Sequence, residues 1–220
     1  MIGAARKAMH ALCAGIRFRS GTYWNRRYLL GGNSGRGSYG DLAEFKAKVI
    51  NEFVARHKVT AVVDWGVGDG NQAALFTVPS YVGYDVSRTA IDMCRRRFAA
   101  HEGKEFILFH GERVRPPRKA ALSMSLDVVY HLVEDSLYES HLWNLFASSN
   151  RFVCIYSSDF DAVHTRHVRH RCFSARVQRE FPEFRLLSVV RNEYPFELND
   201  PDHTSLSDFY FYEKVSHEDE

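Results

Sequence analysis

The sequence has 220 residues, of which 45% are hydrophobic, 14% aromatic and 25% charged. A chain of this length and composition buries a substantial core as a single domain, which excludes an intrinsically disordered protein. The 29 basic and 27 acidic residues give a formal net charge of only +2, which excludes a bulk polyanion binder of the histone type.

Charge is distributed unevenly along the chain. Residues 1–40 carry seven basic residues and no acid, whereas residues 193–220 carry nine acids and one lysine. We expect three parts: a basic N-terminal extension with a glycine-rich lid over residues 1–40, a main domain over residues 41–215, and an acidic tail over residues 216–220. The tail is expected to offset the charge of the extension.

The cysteines and the hydropathy pattern indicate a cytoplasmic protein. No apolar run approaches the ~20 residues that span a bilayer, so no membrane span is expected. Four cysteines lack CxxC spacing, which is typical of reduced thiols rather than a zinc ribbon or a disulfide framework: Cys13, Cys94, Cys154 and Cys172.

Helical patterns occur at three places in the main domain. An apolar face predicts a helix over 42–57, opened by a capping box of Asp41 with Glu44. A second helix is predicted over 89–99. A third begins with a capping box of Ser136 with Glu139.

Short β-branched and aromatic runs alternate with these helices. The predicted strands cover 60–64, 81–85, 105–109, 121–126, 152–156, 186–190 and 208–212. No long helix separates the last two strands, which predicts an antiparallel pair at the end of a mostly parallel sheet. The fold class is therefore α/β, a Rossmann-like doubly wound sheet of seven strands with an antiparallel last strand.

The most informative segment is the turn after the first predicted strand. Three glycines follow that strand with G-x-G-x-G spacing: Gly66, Gly68 and Gly70. They admit a ligand against bare backbone, but a dinucleotide fingerprint requires a glycine at the position of Asn71. Asp64 and Asp69 would lie beside a pyrophosphate, so the turn favours a cationic ligand over NAD. The alternative is a tight strand-to-helix turn that binds nothing.

Asp85 supplies an independent signal at the end of the second predicted strand, 21 positions after Asp64. A carboxylate at that place accepts hydrogen bonds from both hydroxyls of a ribose. S-adenosylmethionine combines a ribose with a sulfonium and an ammonium, and the nearby carboxylates would offset that positive charge. These features favour S-adenosylmethionine as the ligand.

The order of these motifs resembles the class I S-adenosylmethionine-dependent methyltransferases over about residues 23–214. Asp64-x-Gly66-x-Gly68-x-Gly70 is similar to the family's first motif, and Tyr84-Asp85-Val86-Ser87 to its ribose-binding acid. Ser123-Met124-Ser125-Leu126-Asp127 resembles the strand end beside the methionine moiety. The resemblance implies a methyltransferase that uses S-adenosylmethionine and releases S-adenosylhomocysteine. It implies these cofactor-binding residues: Asp64, Gly66, Gly68, Asp69, Gly70, Asp85, Val86, Ser125 and Leu126.

Further segments resemble a subgroup of small bacterial methyltransferases that is associated with surface-glycan gene clusters. They are Gly31-Gly32-Asn33-Ser34-Gly35, Phe45-Lys46-Ala47, Leu126-Asp127-Val128-Val129-Tyr130-His131-Leu132 and His167-Val168-Arg169-His170-Arg171. Two features depart from the family pattern. The acid that contacts adenine is expected after the third strand but is not obvious there, with Glu112 as a candidate, and no Asn-Pro-Pro-Tyr motif follows the fourth strand. The second departure disfavours nucleic-acid bases as acceptors.

Residues that follow the fourth strand are expected to face the transferring methyl group, because ligands bind beyond the carboxyl ends of parallel strands. The candidates for catalysis are Asp127, Tyr130 and His131. His131 has an ordinary pKa near neutrality and is the preferred base for an acceptor hydroxyl, with Asp127 orienting its imidazole or binding the cofactor. The alternative is that His131 is a packed, hydrogen-bonded linker residue.

Residues 164–171 alternate histidines with arginines. On a helix the three histidines would share one side, but the neighbouring arginine charges oppose a bound cation, so we predict no metal site. Guanidinium groups bind carboxylate or phosphate in a bidentate manner, which favours an anionic acceptor over the alternative of a solvated basic loop. The predicted substrate-binding residues are His164, Arg166, His167, Arg169 and Arg171.

The glycine-rich segment 33–40 is expected to close over the cofactor as a lid, since glycines supply hinges. Nearby aromatic residues favour a packed lid over a flexible linker: Tyr23, Trp24, Tyr28 and Tyr39. The leading prediction is an enzyme that methylates a hydroxyl of a small polar acceptor of anionic or glycan type. Two alternatives are a non-catalytic methyltransferase-like binding module and a nucleic-acid methyltransferase that uses the basic N-terminal segment for phosphate contacts.

Overall fold

The computed structural model describes residues 18–115 and 117–215, without the side chain of His164. The predictions for Cys13, for the rest of residues 1–17 and for the acidic tail lie outside the described residues. The α-helices are α1 (Ser20–Leu29), α2 (Gly40–Arg56), α3 (Arg88–Arg97), α4 (Asp135–Ala147) and α5 (Phe173–Glu180). Short 3₁₀ turns cover Arg36–Ser38, Gln72–Leu75 and Val129–His131.

The strands form one large sheet and one small hairpin. They are β1 (Ala61–Trp65), β2 (Ser80–Asp85), β3 (Lys104–Leu108), β4 (Ala120–Leu126), β5 (Ser149–Ser157), β6 (Ala162–Thr165), β7 (Val168–His170), β8 (Phe184–Val190) and β9 (Asp208–Lys214). The seven-stranded sheet has the order β3-β2-β1-β4-β5-β9-β8, and β6 pairs with β7 separately. Strands β1 to β5 are parallel, whereas β9 is antiparallel to both β5 and β8. This confirms the predicted fold class.

Helices cover both faces of the sheet, which explains why the central strands are apolar on both sides. On one face, α2 places Phe53 against Phe152 and Phe211. On the other face, α4 places Phe146 against Tyr212. The two packed layers fix the strand ends at one edge, where a ligand crevice is expected.

Both predicted capping boxes are wrong. Helix α2 begins at Gly40 after Tyr39, and α4 begins at Asp135 after Glu134, and neither preceding side chain caps its helix. Asp41 and Ser136 therefore lie within the first turns. The starts are set by tertiary contacts, because Tyr39 donates its hydroxyl to Asp69 and Glu134 accepts hydrogen bonds from Ser20 in α1.

Two local structures differ from the sequence expectation. Residues 164–171 form no helix: β6 and β7 flank a two-residue turn at 166 and 167. Helix α1 was not predicted, and its aromatic residues Tyr23 and Trp24 pack against His167 and His131 rather than on the sheet. In the described part of the chain, no helix combines the length and apolarity that crossing a membrane requires.

Candidate functional site

A cleft lies at the carboxyl ends of β1, β2 and β4, and encloses about 810 Å³ out to its mouth. The glycine turn after β1 lines it on one side. Helix α1 and the lid segment line it on the other side, and the 3₁₀ turn after β4 closes one end.

The glycine turn presents backbone to this cleft because no side chain fits there. Gly66 and Gly68 have φ values of +102° and +61°, which favour glycine. A Cβ on Gly66 would lie 2.3 Å from Val128, and one on Gly68 would lie 2.2 Å from the hydroxyl of Ser34. The turn is thus held between the lid and the segment after β4.

Two buried carboxyl groups lie beside the turn. Asp85 accepts hydrogen bonds from the backbone N–H groups of Gly68 (2.9 Å) and Ser87 (2.8 Å). Burial raises its pKa to about 6. Asp64 accepts the hydroxyl of Tyr81 at one oxygen, its Oδ1 has no hydrogen-bond partner in the described structure, and burial raises its pKa to about 7. A bound cation would stabilise the charged form of both groups.

Asp69 binds the lid segment, whereas the resemblance implies that it binds the cofactor. Its Oδ2 accepts the backbone N–H of Ser34 and the hydroxyl of Tyr39, both at 2.8 Å. The hydroxyl of Ser34 accepts the N–H of Asp69 at 2.9 Å and contacts the hydroxyl of Tyr28. Asp69 therefore anchors the lid segment on the glycine turn.

The predicted cofactor-binding residues separate into two groups. Asp64, Gly66, Gly68, Asp85, Val86 and Leu126 line the cleft, whereas Asp69, Gly70 and Ser125 do not. Gly70 instead packs against α3, where a Cβ would lie 3.0 Å from the sulfur of Cys94. Ser125 is hydrogen-bonded to His141, which itself lines the cleft. Glu112 lies in an exposed loop, and its carbonyl accepts a hydrogen bond from Asn144.

Sequence reasoning missed two polar residues at the inner end of the cleft. Lys46 is 1% exposed and donates to Asp127 Oδ2 at 2.5 Å. Gln72 donates its amide to the carbonyl of Ala43, and its Oε1 has no partner among the described residues. A signal for Lys46 was present, because it falls on the apolar stripe of α2, one turn before Ile50.

Asp127 takes an unusual backbone conformation where β4 ends, with a φ of +60°. Its Oδ1 accepts the hydroxyl of Tyr130 at 2.8 Å, and its Oδ2 accepts Lys46. The lid lies directly against it, since a Cβ on Gly37 would come within 2.6 Å of Oδ2. Asp127 thus joins Lys46, Tyr130 and the lid, and it makes no hydrogen bond to His131.

His131 is oriented by the hairpin instead. Its Nδ1 lies 3.1 Å from the carbonyl oxygen of His167. A carbonyl can only accept, so Nδ1 carries the hydrogen and Nε2 of the neutral ring can accept a proton. The ring of Trp24 from α1 packs edge-on against the ring of His131, with 4.8 Å between the ring centroids. Burial lowers the pKa of His131 to about 4, well below the ordinary value near neutrality that the sequence suggests.

Two of the three arginines of residues 164–171 have protein partners. Arg169 and Arg171 both form ion pairs with Asp135, at 2.9 and 3.0 Å. Arg171 also donates to the carbonyls of Leu132 and Val133. These contacts hold the segment that carries His131.

The other members of the run differ in position. His170 is buried and bonded to Ser158 at 2.6 Å, His167 lies in the hairpin turn, and Arg166 is exposed beside it. The side chain of His164 lies outside the described part. No group of three or more His, Cys, Asp or Glu in the described ranges is arranged to hold a metal ion.

The sheet order and the cleft at its strand ends define the fold: the chain has the fold of the class I S-adenosylmethionine-dependent methyltransferases. N-methyltransferase NodS from Bradyrhizobium japonicum WM9, in complex with S-adenosyl-L-homocysteine, has a TM-score of 0.69 at 10% identity, covering 90% of this chain and 100% of that chain. Magnesium protoporphyrin IX methyltransferase from Synechocystis PCC 6803, with bound SAM, has a TM-score of 0.63 at 12% identity, covering 91% and 100%. No family model and no curated protein matches the sequence.

Proposed function

We propose that the protein is an S-adenosylmethionine-dependent methyltransferase that methylates a hydroxyl of a small polar acceptor of anionic or glycan type. One observation carries the proposal. A single cleft has a bare glycine turn with buried carboxyl groups on one side and a histidine of fixed tautomer, His131, on the other.

The residues of the first side fit the cofactor. Asp85 has the acceptor capacity for ribose hydroxyls, and Gly66 and Gly68 line the cleft with backbone alone. The unpartnered Oδ1 of Asp64 suits an ammonium donor. Val86 and Leu126 add apolar walls. When bound, S-adenosylmethionine supplies an electrophilic methyl group on a positively charged sulfur.

His131 has the geometry of a general base. Its Nδ1–H is held by the carbonyl of His167, so Nε2 is the ring atom that would take the proton of an acceptor hydroxyl. Because the pKa of His131 is lowered to about 4, the ring is neutral at physiological pH, and it is a weaker base than an exposed imidazole. Trp24 fixes the ring plane, which favours the alignment that an in-line displacement requires.

The proposed acceptor class is argued from the side chains of the site and not from the fold. One structural neighbour is an N-methyltransferase and the other is a magnesium protoporphyrin IX methyltransferase, so the fold alone selects no acceptor. His131 is a base suited to a hydroxyl, and the hairpin turn that orients it also carries the exposed Arg166. An anionic group on an acceptor at the mouth of the cleft would meet that guanidinium.

Methyl transfer from labelled S-adenosylmethionine tests the proposal directly. The purified protein is incubated with panels of sugars, sugar phosphates, phenols and amines, and products are identified by mass spectrometry. We expect labelled methyl ethers, formed faster on anionic than on neutral versions of the same acceptor. Tight binding of S-adenosylhomocysteine without transfer to any hydroxyl would instead support a non-catalytic binding module, and N-methylated products alone would contradict the acceptor assignment.

A further inference from the structure

We propose that Arg171 is a positioning residue for His131, because its guanidinium fixes the backbone that follows the histidine. The inference rests on the proposed function, in which His131 is the general base, and it adds a residue on which the rate of methyl transfer depends. Arg171 follows β7 and lies 39 positions after Leu132 in the chain, so no local motif connects it with the turn after β4.

The first argument is that the backbone after His131 needs hydrogen-bond donors from elsewhere. The 3₁₀ turn ends at His131, and Leu132 has φ −88° and ψ +81°, which belong to neither helix nor strand. Helix α4 begins only at Asp135, so the carbonyls of Leu132 and Val133 lie between two regular elements. A buried carbonyl without a donor is costly, and Leu132 is buried. Another part of the molecule must therefore supply the donors.

The second argument is that Arg171 supplies these donors from a fixed position. It donates through Nη1 to the carbonyl of Leu132, and through Nη2 to the carbonyl of Val133 at 3.0 Å. Nη2 also pairs with Asp135 at 3.0 Å. Arg171 is 7% exposed, and its guanidinium lies 4.3 Å from the ring centroid of Tyr138. Because the guanidinium is a planar fork with donors in fixed directions, it holds both carbonyls at once.

The third argument is that the same hairpin also holds the imidazole. The carbonyl of His167, in the turn between β6 and β7, accepts the Nδ1–H of His131 at 3.1 Å. The hairpin turn thus fixes the ring, and Arg171 fixes the backbone that follows it. A shift of that backbone would move the ring away from the carbonyl, and Nδ1 would lose the acceptor that selects its tautomer. A misplacement of about 1 Å in a reacting group can lower a rate about 100-fold.

The competing interpretation is the one that the sequence suggests, in which Arg171 binds an anionic acceptor. In the structure both terminal nitrogens of Arg171 already donate to protein oxygens, and the ring of Tyr138 covers one face of the guanidinium. Under the competing interpretation, replacing Arg171 raises the KM of an anionic acceptor and leaves the tautomer of His131 unchanged. Under our proposal, the replacement lowers kcat and releases the tautomer.

The test begins with a measurement that needs no acceptor. At neutral pH, NMR of protein labelled with ¹⁵N in histidine distinguishes the two neutral tautomers of an imidazole, and His131→Ala identifies the signals of that ring. The test variants are Arg171→Met and Arg171→Lys. Arg176→Met is the matched control, because Arg176 also lies over the ring of Tyr138, at 5.2 Å, but pairs with Glu139 on α4. Thermal unfolding of each variant checks that it is folded.

We expect the wild type and Arg176→Met to hold the hydrogen of His131 on Nδ1, and Arg171→Met to show both tautomers. Arg171→Lys should lie between them, because an ammonium is a point charge and not a fork. Once an acceptor is found, kcat of Arg171→Met should fall about 100-fold, while the KM of that acceptor and the affinity for S-adenosylhomocysteine stay within about 3-fold.

Three results would overturn the inference. One is a wild type in which His131 already shows both tautomers, which decides the question even if Arg171→Met does not fold. Another is an Arg171→Met variant that keeps the single tautomer. The third is a higher KM of an anionic acceptor at unchanged kcat. If the wild type methylates no acceptor, the proposed function itself is overturned, and the tautomer still decides whether Arg171 positions His131.

Discussion

The two sides of the cleft are built in different ways. The side that we propose binds the cofactor, the cofactor side, consists of backbone and carboxyl groups from β1, β2 and the glycine turn that follows β1. The side that we propose binds the acceptor, the acceptor side, consists of aromatic and imidazole rings from α1, the turn after β4 and the hairpin, as with Trp24, His131 and His167. One side is therefore local in sequence and the other is assembled by tertiary contacts. Substitutions on the cofactor side should therefore weaken cofactor binding, and substitutions on the acceptor side should lower the rate of turnover.

The largest effect is expected from His131→Ala, on the acceptor side. Loss of a general base lowers kcat by about 100- to 10,000-fold, while the affinity for S-adenosylhomocysteine should stay within about 3-fold. Steady-state kinetics and calorimetry measure the two quantities. His101→Ala, at an exposed histidine, should change neither. Near-normal turnover of His131→Ala would remove this residue from the mechanism.

Asp85→Asn should show the opposite pattern. The amide removes the negative charge and half of the acceptor capacity beside the ribose, so we expect affinity for S-adenosylhomocysteine to fall about 100-fold. The partly exposed Asp92 on α3 provides the control as Asp92→Asn, which should leave affinity unchanged. An unaltered affinity in Asp85→Asn would mean that Asp85 serves only to hold the N–H of Gly68.

The cofactor side should also respond to pH. Burial raises the pKa of Asp85 to about 6 and that of Asp64 to about 7, so both become neutral as the pH falls through these values. A cationic cofactor favours the charged carboxylates and expels protons on binding. Its affinity should therefore fall about tenfold between pH 7 and 6, where Asp64 is protonated, and about 100-fold for each pH unit below about 6, where both groups are protonated. Calorimetry of S-adenosylmethionine between pH 5 and 8 measures this, and constant affinity across that range would contradict the assignment.

The smallest effect is expected at the contact between the lid and the glycine turn. Gly68→Ala places a Cβ 2.2 Å from the hydroxyl of Ser34, so it should displace the lid and weaken binding about 10-fold. Gly31 is the control, since it also has a positive φ of +82° but a Cβ added there would meet no atom within 4 Å. Gly31→Ala should cost about 1 kcal/mol of unfolding free energy without changing ligand affinity. Equal ligand affinity of the Gly68→Ala and Gly31→Ala variants would show that the contact between the lid and the glycine turn does not affect binding.

The difference between the two sides also explains what the sequence could predict. The sheet, the glycine turn and Asp85 follow from local patterns, and the antiparallel end of the sheet follows from the missing helix before β9. The hairpin over 162–170 was not predictable, because its histidines recur at every third residue, which is closer to a helical period than to a strand period, and because Arg169 and Arg171 are fixed by Asp135, which is distant in the sequence. The lowered pKa of His131 depends on burial by residues that are far away in the sequence.

The attachment of α1 has a consequence for the order of folding. Ser20 bonds to Glu134 across 114 positions of the chain, and Asn25 contacts Ser87 across 62 positions. Loop closure of that length costs entropy and slows the formation of the contact. During synthesis from the N-terminus, α1 cannot reach its native position until residue 134 has left the ribosome. The acceptor side of the cleft is thus expected to be the last part of the site to form. The difference in refolding fluorescence between the wild type and Trp24→Phe would show this as a phase later than that of the sheet.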